Sequence, residues 1–166
     1  KNMGNGWSQF DYNLLYAIQM LYITEYGHPD SQTMVGRGYV DGNSGATTTG
    51  GTLQYGNNTF GETTGKKQMS YRGIEDFWGN TYCWIDGLYS DSSRDILVGN
   101  KGFNNAGSGY ANVGRGATSN MSGNIREIQG FKEAGFILKV SGGNNNSAGL
   151  YDTGRLSAGS LSLAGG

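Results

Sequence analysis

The 166-residue sequence has little of several features that would assign it to a common class of protein. It has one cysteine, one proline and one histidine, and 15% of its residues are charged, against about 25% in ordinary globular proteins. The near-absence of proline, with glycines that follow no three-residue period, excludes collagen. The longest apolar stretch, near 14–23, is broken by Gln19 and flanked by Asp11 and Glu25, which excludes a bilayer span.

The shortage of charge and of cysteine also limits the chemistry and the partners. The formal net charge is −1, and the only adjacent basic pair is Lys66 and Lys67. Because phosphate-backbone binding depends on clusters of Lys and Arg, we expect no nucleic-acid partner. Cys83 has no partner for an internal disulfide, and its aromatic neighbours indicate a small, buried apolar residue. No signal peptide is visible at Lys1, and the missing initial methionine indicates an excised or processed piece.

Glycine and aromatic residues are plentiful. The sequence contains 31 Gly, 11 Tyr, 6 Phe and 3 Trp, so it has ample apolar surface to bury and is not disordered in the manner of highly charged chains. The length suits a single domain, 1–166.

The strongest local signal is an amphipathic helix near the start of the chain. Ser8 with Asp11 three residues later is typical of a helix N-terminus, and apolar residues then recur at helical spacing. Gly27 is a natural C-cap, and Pro29 follows it. We predict a helix over 8–26 that lies against a sheet, because its apolar arc is broad.

The segment 36–68 is rich in Gly, Thr and Asn, which are typical of turns, and it has few apolar residues that could join a core. A stretch of this length without its own core is either a binding loop or a loose surface excursion, and the sequence favours neither. We treat it as a loop insertion.

The segment 71–88 carries the most information. Residues 73–78 fit one helical turn that ends at Gly79, and the alternation after Asn80 predicts a strand with Tyr82, Trp84 and Asp86 on one face. Further strands are predicted at 95–98, 136–140 and 160–164, with a glycine-rich connection over 102–116. Together these elements predict an α+β domain with one main N-terminal helix, short antiparallel strands and long loops rich in Gly, Asn, Ser and Thr.

Three segments resemble one family. Residues 73–87, GIEDFWGNTYCWIDG, resemble the motif G-(I/V)-x-(D/N)-(L/F/M)-x-G-N-(V/I)-x-x-W-x-D of C-type-lectin-fold proteins of the formylglycine-generating-enzyme type. The nearest form of this motif occurs in tail-fibre and receptor-binding proteins of phages and prophages of Gram-positive bacteria. Residues 17–27, AIQMLYITEYG, and 134–143, AGFILKVSGG, are similar to further segments of those proteins.

The resemblance implies a C-type-lectin-like fold and a non-catalytic role in host attachment. It implies a bacterial surface glycan or protein as the partner, a homo-oligomer with a trimer favoured, contacts with other tail proteins, no insertion into a membrane, and a virion or extracellular location. In those relatives a Gly-Gly pair such as Gly165-Gly166 precedes a further stretch. We therefore expect a domain that is truncated at its C-terminus or completed by another chain.

Within the motif, physical reasoning assigns folding roles. Trp78 and Trp84 can fill a core that is poor in Leu and Val. Gly79 permits a tight turn, and the amide of Asn80 can bond to neighbouring backbone there. These four residues are predicted to be a fold motif and not a site.

Catalytic chemistry finds little support in the sequence. The oxidase members of the superfamily bind copper through a late cysteine pair, and this chain has only Cys83. His28 has no second His or Cys at ligand spacing, so we expect no transition metal. Asp91 and Asp95 could offer oxygens to Ca²⁺, a minor alternative because the EF-hand pattern is absent. Five acidic residues could in principle supply a glycosidase pair, but no spacing selects two of them: Glu75, Asp76, Asp86, Glu127 and Glu133. We predict no enzyme activity, no metal and no cofactor.

Recognition of a partner at the protein surface is the remaining class of function. Tyr, Asn, Ser and Gly loops combine rigid aromatic area with adaptable hydrogen bonding, as at protein and glycan contacts. The candidate ligand-binding residues are Asn104, Asn105, Tyr110, Asn144, Asn145, Asn146, Tyr151, Asp152 and Arg155. The alternative is that these are polar loops without a ligand, in a structural virion or surface-assembly subunit that uses the fold only for subunit contacts.

Overall fold

A computed structural model of the chain describes residues 6–41, 45–116, 119–131, 135–141, 153–157 and 160–165. The fold is α+β, with one main helix, two antiparallel sheets and a two-stranded hairpin, as the sequence predicts at this level. The helices are α1 (Tyr12–Tyr26) and the short α2 (Ser31–Met34), and a 3-10 turn covers Leu53–Tyr55. Among the described residues, neither helix has the length and apolar character that crossing a bilayer requires.

In the described part of the chain, ten strands follow the helices. The hairpin is β1 (Ser70–Tyr71) with β2 (Ile74–Glu75). The five-stranded sheet has the order β3-β10-β9-β7-β8, and the three-stranded sheet has the order β4-β5-β6. Their bounds are β3 Thr81–Cys83, β4 Leu88–Ser90, β5 Asp95–Val98, β6 Ala111–Arg115, β7 Met121–Phe131, β8 Gly135–Ser141, β9 Thr153–Ser157 and β10 Ser160–Gly165. The predicted strands at 95–98, 136–140 and 160–164 are confirmed.

Helix α1 ends as predicted but begins later. Gly27 adopts the left-handed conformation with φ 65° and donates its N–H to the Ile23 carbonyl at 2.8 Å. The predicted start at Ser8 is wrong, because Asp11 is the N-cap and its carboxylate accepts from the Leu14 N–H at 2.9 Å. The backbone before Tyr12 is extended because it pairs with Asp86, so it cannot also be helical.

The core is an aromatic cluster beneath α1. Its buried members are Ile18, Tyr22, Met69, Tyr71 and Trp78. Tyr22 meets Tyr71 edge-on, with ring centroids 5.7 Å apart, and meets Trp78 edge-on at 6.3 Å. Large rings therefore replace the missing Leu and Val, and the other side of α1 contacts β8, as predicted.

The prediction that Trp84 fills the core is wrong. Trp78 is fully buried and its indole N–H donates to the Gly36 carbonyl at 2.8 Å, but 66% of Trp84 is exposed. The predicted alternation fails because β3 ends at Cys83 and the chain then pairs elsewhere: Asp86 N–H donates to the Phe10 carbonyl at 2.9 Å. Cys83 is only partly buried.

The predicted helical turn over 73–78 is also wrong. Ile74 and Glu75 instead pair with Ser70 and Tyr71 across a two-residue turn. Arg72 and Gly73 both have positive φ, 51° and 81°, which is the conformation that a tight hairpin requires. The hairpin is tied to α1 because Glu25 accepts from the Tyr71 hydroxyl at 2.7 Å and from Arg72 Nε at 3.1 Å.

The predicted connection over 102–116 contains β6, so that prediction is wrong for Ala111–Arg115. This strand is short and half-exposed and pairs along β5, which a local pattern does not reveal. Strands β1, β2, β4, β7 and β9 were not predicted either.

Candidate functional site

The segment 36–68 is folded back on itself against the hairpin. Isolated bridges pair Tyr39 with Lys66 and Phe60 with Ser70. Within its described part, which leaves out 42–44, the one regular element is the 3-10 turn at Leu53–Tyr55. Its shape therefore depends on side chains that reach it from the rest of the fold.

Glu75, on β2, organises the first half of this segment. Its carboxylate accepts hydrogen bonds from the Gly50 N–H at 2.6 Å and from both the N–H and the hydroxyl of Thr52, at 2.7 and 2.6 Å. Burial alone would raise the pKa of Glu75, but these hydrogen bonds outweigh burial and hold that pKa below its usual value. Glu75 is therefore charged, and it fixes the turn at 50–52.

Asp76 and Asn80 hold two other points of this segment, Gln68 and Thr47. The Asp76 carboxylate accepts from the Gln68 amide at 2.6 Å and from the Asn80 amide at 2.7 Å. The Asn80 side chain in turn accepts from the Thr47 N–H at 2.9 Å. Burial raises the pKa of Asp76 above its usual value, although these two hydrogen bonds oppose the rise. Asn80 thus bonds to backbone far along the chain, where the sequence predicted a local bond.

The loop encloses an open cleft of about 250 Å³. Three aromatic rings line it, and two of them stack face to face: the centroids of Tyr55 and Phe60 are 3.7 Å apart, at an interplanar angle of 10°. The third ring is that of Tyr39. The volume is below the roughly 300–1,000 Å³ of pockets for drug-sized ligands, so it suits a group the size of one sugar ring or one side chain.

The rest of the cleft is polar. Gln54, Gln68 and Thr47 contribute amide and hydroxyl groups, and Lys66 and Lys67 contribute charge. At Gly51 a Cβ would come within 2.0 Å of the Gln68 side-chain oxygen, so a larger residue there would displace that amide. These lining residues were not predicted individually. The sequence feature that could have indicated them is the presence of aromatic and basic residues within a segment otherwise rich in Gly and Thr.

The structure brings together two of the predicted ligand-binding residues. Asn104 N–H donates to the Tyr110 hydroxyl at 2.9 Å, and that hydroxyl donates to the Asn104 carbonyl at 3.3 Å. The Asn104 side chain also accepts from the N–H groups of Ala106 and Ser108, at 3.1 and 2.9 Å. These polar groups therefore shape the loop 102–110 from within, whereas Asn105 is exposed at its turn.

The other predicted ligand-binding residues cannot be placed with them. Arg155 lies on β9, where the strand is described but the side chain is not. The remaining five lie outside the described residues: Asn144, Asn145, Asn146, Tyr151 and Asp152.

Groups that could support metal or redox chemistry are already engaged in local structure. His28 Nδ1 accepts from the Asp30 N–H at 3.0 Å. Asp91 accepts from the N–H groups of Ser93 and Asp95, as the side chain of a tight turn does. Burial, with the nearby charge of Asp76, raises the pKa of the Cys83 thiol, which disfavours the reactive thiolate. In the part of the chain that the structure describes, no three His, Cys, Asp or Glu side chains gather as a metal site would require.

Comparison with protein-family models, with curated proteins and with solved structures found no match to this chain.

Proposed function

We propose that this chain is a non-catalytic receptor-binding domain of a phage or prophage tail protein, with a C-type-lectin-like fold. Its task is adhesion to a bacterial surface glycan or protein. The observation that carries the proposal is the cleft in 36–68, which partly exposed aromatic rings and the exposed amide of Gln54 line, on a loop held in a fixed shape by Glu75, Asp76 and Asn80. Such preorganisation lowers the entropy that a recognition loop loses when it binds.

The resemblance of 73–87 to the tail-protein motif supports the finer assignment of fold. Residues of that motif do two jobs here: Trp78 fills the core, and Glu75, Asp76 and Asn80 anchor the cleft loop. The motif thus acts as a scaffold that presents a surface loop, which is where binding residues are commonly placed.

Three of the carboxylates that the structure describes are engaged by the fold and form no acid–base pair with one another. Glu75 and Asp76 are committed to the loop, and Asp95 is held by Arg115 at 2.6 Å and by Asn112 at 3.0 Å. The proposal therefore includes no reaction.

The test is binding of the fluorescently labelled chain to a panel of intact Gram-positive cells, before and after removal of surface polysaccharide. We expect binding to some strains and not to others. Loss of that binding after polysaccharide removal identifies a glycan receptor, and its retention identifies a protein receptor. Absence of binding to every strain, by a chain shown to be folded, would contradict the proposal.

A second candidate is a structural assembly subunit, and exposed apolar side chains favour it. Trp7 and Trp84 are 69% and 66% exposed, and Leu14 and Leu21, seven residues apart on α1, are 49% and 42% exposed. If subunit contacts are the function, Leu21→Ser should dissociate the oligomer in sedimentation velocity, whereas Thr24→Ser on the same exposed side should not. If adhesion is the function, strain-selective cell binding should be retained per chain in both variants.

A further inference from the structure

We propose that the cleft in 36–68 selects an anionic saccharide unit, in which a sugar ring carries a carboxylate or a phosphate. This inference rests on the proposed adhesive function and names the ligand class of the same cleft. Three features carry it: the sign of the charge in the lining, the engagement of the nearby acids elsewhere in the fold, and the combination of the stacked aromatic pair with the amides.

The first feature is the sign of the charge. Of the described residues that line the cleft, two are charged at neutral pH, and both are lysines, in a chain whose net charge is −1. Lys67 lies 3.2 Å from Glu62 and is partly neutralised by it. Lys66 forms no ion pair with a residue that the structure describes, and its side chain is exposed at the cleft. One cationic group is thus left for a ligand.

The second feature is that the acids nearest this lysine are engaged by other groups: Asp41, whose carboxylate lies beside Gly65, is paired with Arg37. Glu75 and Asp76 stand behind the loop and are absent from the lining. The Glu75 carboxylate accepts from three donors in 50–52, and Asp76 accepts through Oδ2 from the Gln68 and Asn80 amides, while its Oδ1 is buried away from the cleft lining. Their charge is spread over hydrogen bonds within the fold, whereas the ammonium of Lys66 faces solvent.

The third feature is the combination of rings and amides. The stacked Tyr55 and Phe60 supply a rigid apolar surface, and the C–H face of a sugar ring packs on such a surface. Gln54 and Thr47 add donors and acceptors suited to hydroxyl groups. A simple anion would need only the lysine, and a neutral sugar only the rings and amides, so the full set fits a sugar that carries a charge.

The test uses the whole chain and four probes: glucuronic acid, glucose 1-phosphate, glucose and inorganic phosphate. Binding is followed by titration with NMR detection, so that shifts at Gly51 and Lys66 locate the ligand in the cleft. We expect one or both of the charged sugars to bind at least tenfold more tightly than glucose and than phosphate alone. The preferred charged sugar distinguishes a carboxylate ligand from a phosphate ligand.

The variants are Lys66→Gln and, as a matched control, Lys101→Gln, an exposed lysine outside the cleft. Lys66→Gln should weaken binding of the charged sugar about tenfold, as expected for one charge-assisted hydrogen bond. Lys101→Gln should leave it unchanged. Tyr55→Leu should weaken binding of the charged sugar, while the far-UV circular dichroism spectrum of the variant stays like that of wild type. Equal affinity for glucose, an equal effect of the two lysine variants, or shifts outside the cleft would overturn the inference.

Its failure is distinguishable from failure of the adhesive function. If labelled chain binds cells selectively and Lys66→Gln binds the same cells equally well, adhesion stands and this ligand class is wrong. If charged sugars bind in the cleft but no cell is bound, the ligand class stands and the adhesive function is wrong.

Discussion

Gly79 lies where two backbone segments approach each other closely, and a larger residue would not fit there. Its φ is 69°, and a Cβ there would be 2.6 Å from the Arg37 carbonyl oxygen and 3.0 Å from the Gly38 Cα. The Gly79 carbonyl also accepts from the Tyr39 N–H at 3.1 Å, so this contact positions the start of the cleft loop. Glycine is thus required at position 79 both by the close backbone contact and by the positive φ.

Gly79→Ala should therefore lower the free energy of unfolding by about 2–4 kcal/mol, the sum of a left-handed backbone and a backbone clash. The control is Gly109→Ala: its φ is 78°, but nothing lies within 4 Å of the added Cβ. That variant should lose only about 1 kcal/mol. Urea denaturation of both variants measures the difference, and equal losses would show that the close approach to Arg37 contributes nothing.

At the scale of elements, the start of α1 shows which boundaries depend on distant contacts. Gly27 ends the helix through a local left-handed cap, so its position could be predicted from the sequence. The start could not, because Asp11 is extended by its pairing with Asp86, 75 residues further along the chain. Either Ser8 or Asp11 is an acceptable N-cap residue, and the tertiary pairing selects Asp11.

Asp11→Ala should lower the free energy of unfolding by about 1 kcal/mol, the usual loss for an N-cap, because the Leu14 N–H loses its acceptor. Ser8→Ala is the matched control and should change it by less than about 0.5 kcal/mol, since Ser8 is exposed and lies outside the helix. Thermal unfolding followed at 222 nm measures both. A larger loss for Ser8→Ala than for Asp11→Ala would restore the predicted start of the helix.

The same reasoning explains how much of the site could be predicted. The sequence indicates that 36–68 is a loop and leaves open whether it binds. It does not indicate a cleft, because several of the bonds that shape the cleft join residues 23 to 33 positions apart, such as Thr52 with Glu75 and Thr47 with Asn80. Period and propensity describe neighbours along a chain, whereas these contacts join segments that only the folded structure brings together.

At the scale of the whole molecule, low pH should destabilise the protein through Glu75, which anchors the segment 50–52. Several carboxylates have a lowered pKa, but Glu25, Glu62 and Asp95 lie near the surface, where solvent weakens their contribution. Glu75 differs because its three hydrogen bonds hold the segment 50–52 to the hairpin. Protonation of this one group removes the charge that those donors bind.

The sign of the pH dependence follows from the direction of each shift. The pKa of Glu75 in the folded chain is below its ordinary value of 4.5, so its contribution to stability is complete above that value. That contribution is lost as the pH falls through the lowered pKa. The pKa of Asp76 is raised above its ordinary value of 3.8, so its contribution has the opposite sign and is lost as the pH rises through the raised pKa.

Glu75→Gln should lower the free energy of unfolding at pH 7 by about 1–2 kcal/mol, because a neutral amide accepts these hydrogen bonds more weakly. At pH 3, below the ordinary value of 4.5, the loss should shrink, because the wild-type chain must give up the proton that Glu75 binds when unfolded, and this offsets the stabilisation by its charge. Asp76→Asn keeps an acceptor for Gln68 and Asn80, so its free energy of unfolding at pH 7 should show no such loss against wild type. At pH 3 the same comparison with wild type should be less favourable to the variant than it is at pH 7. Urea denaturation of the three proteins at both pH values measures this. A constant difference between wild type and Glu75→Gln would show that the charge of Glu75 does not hold the loop.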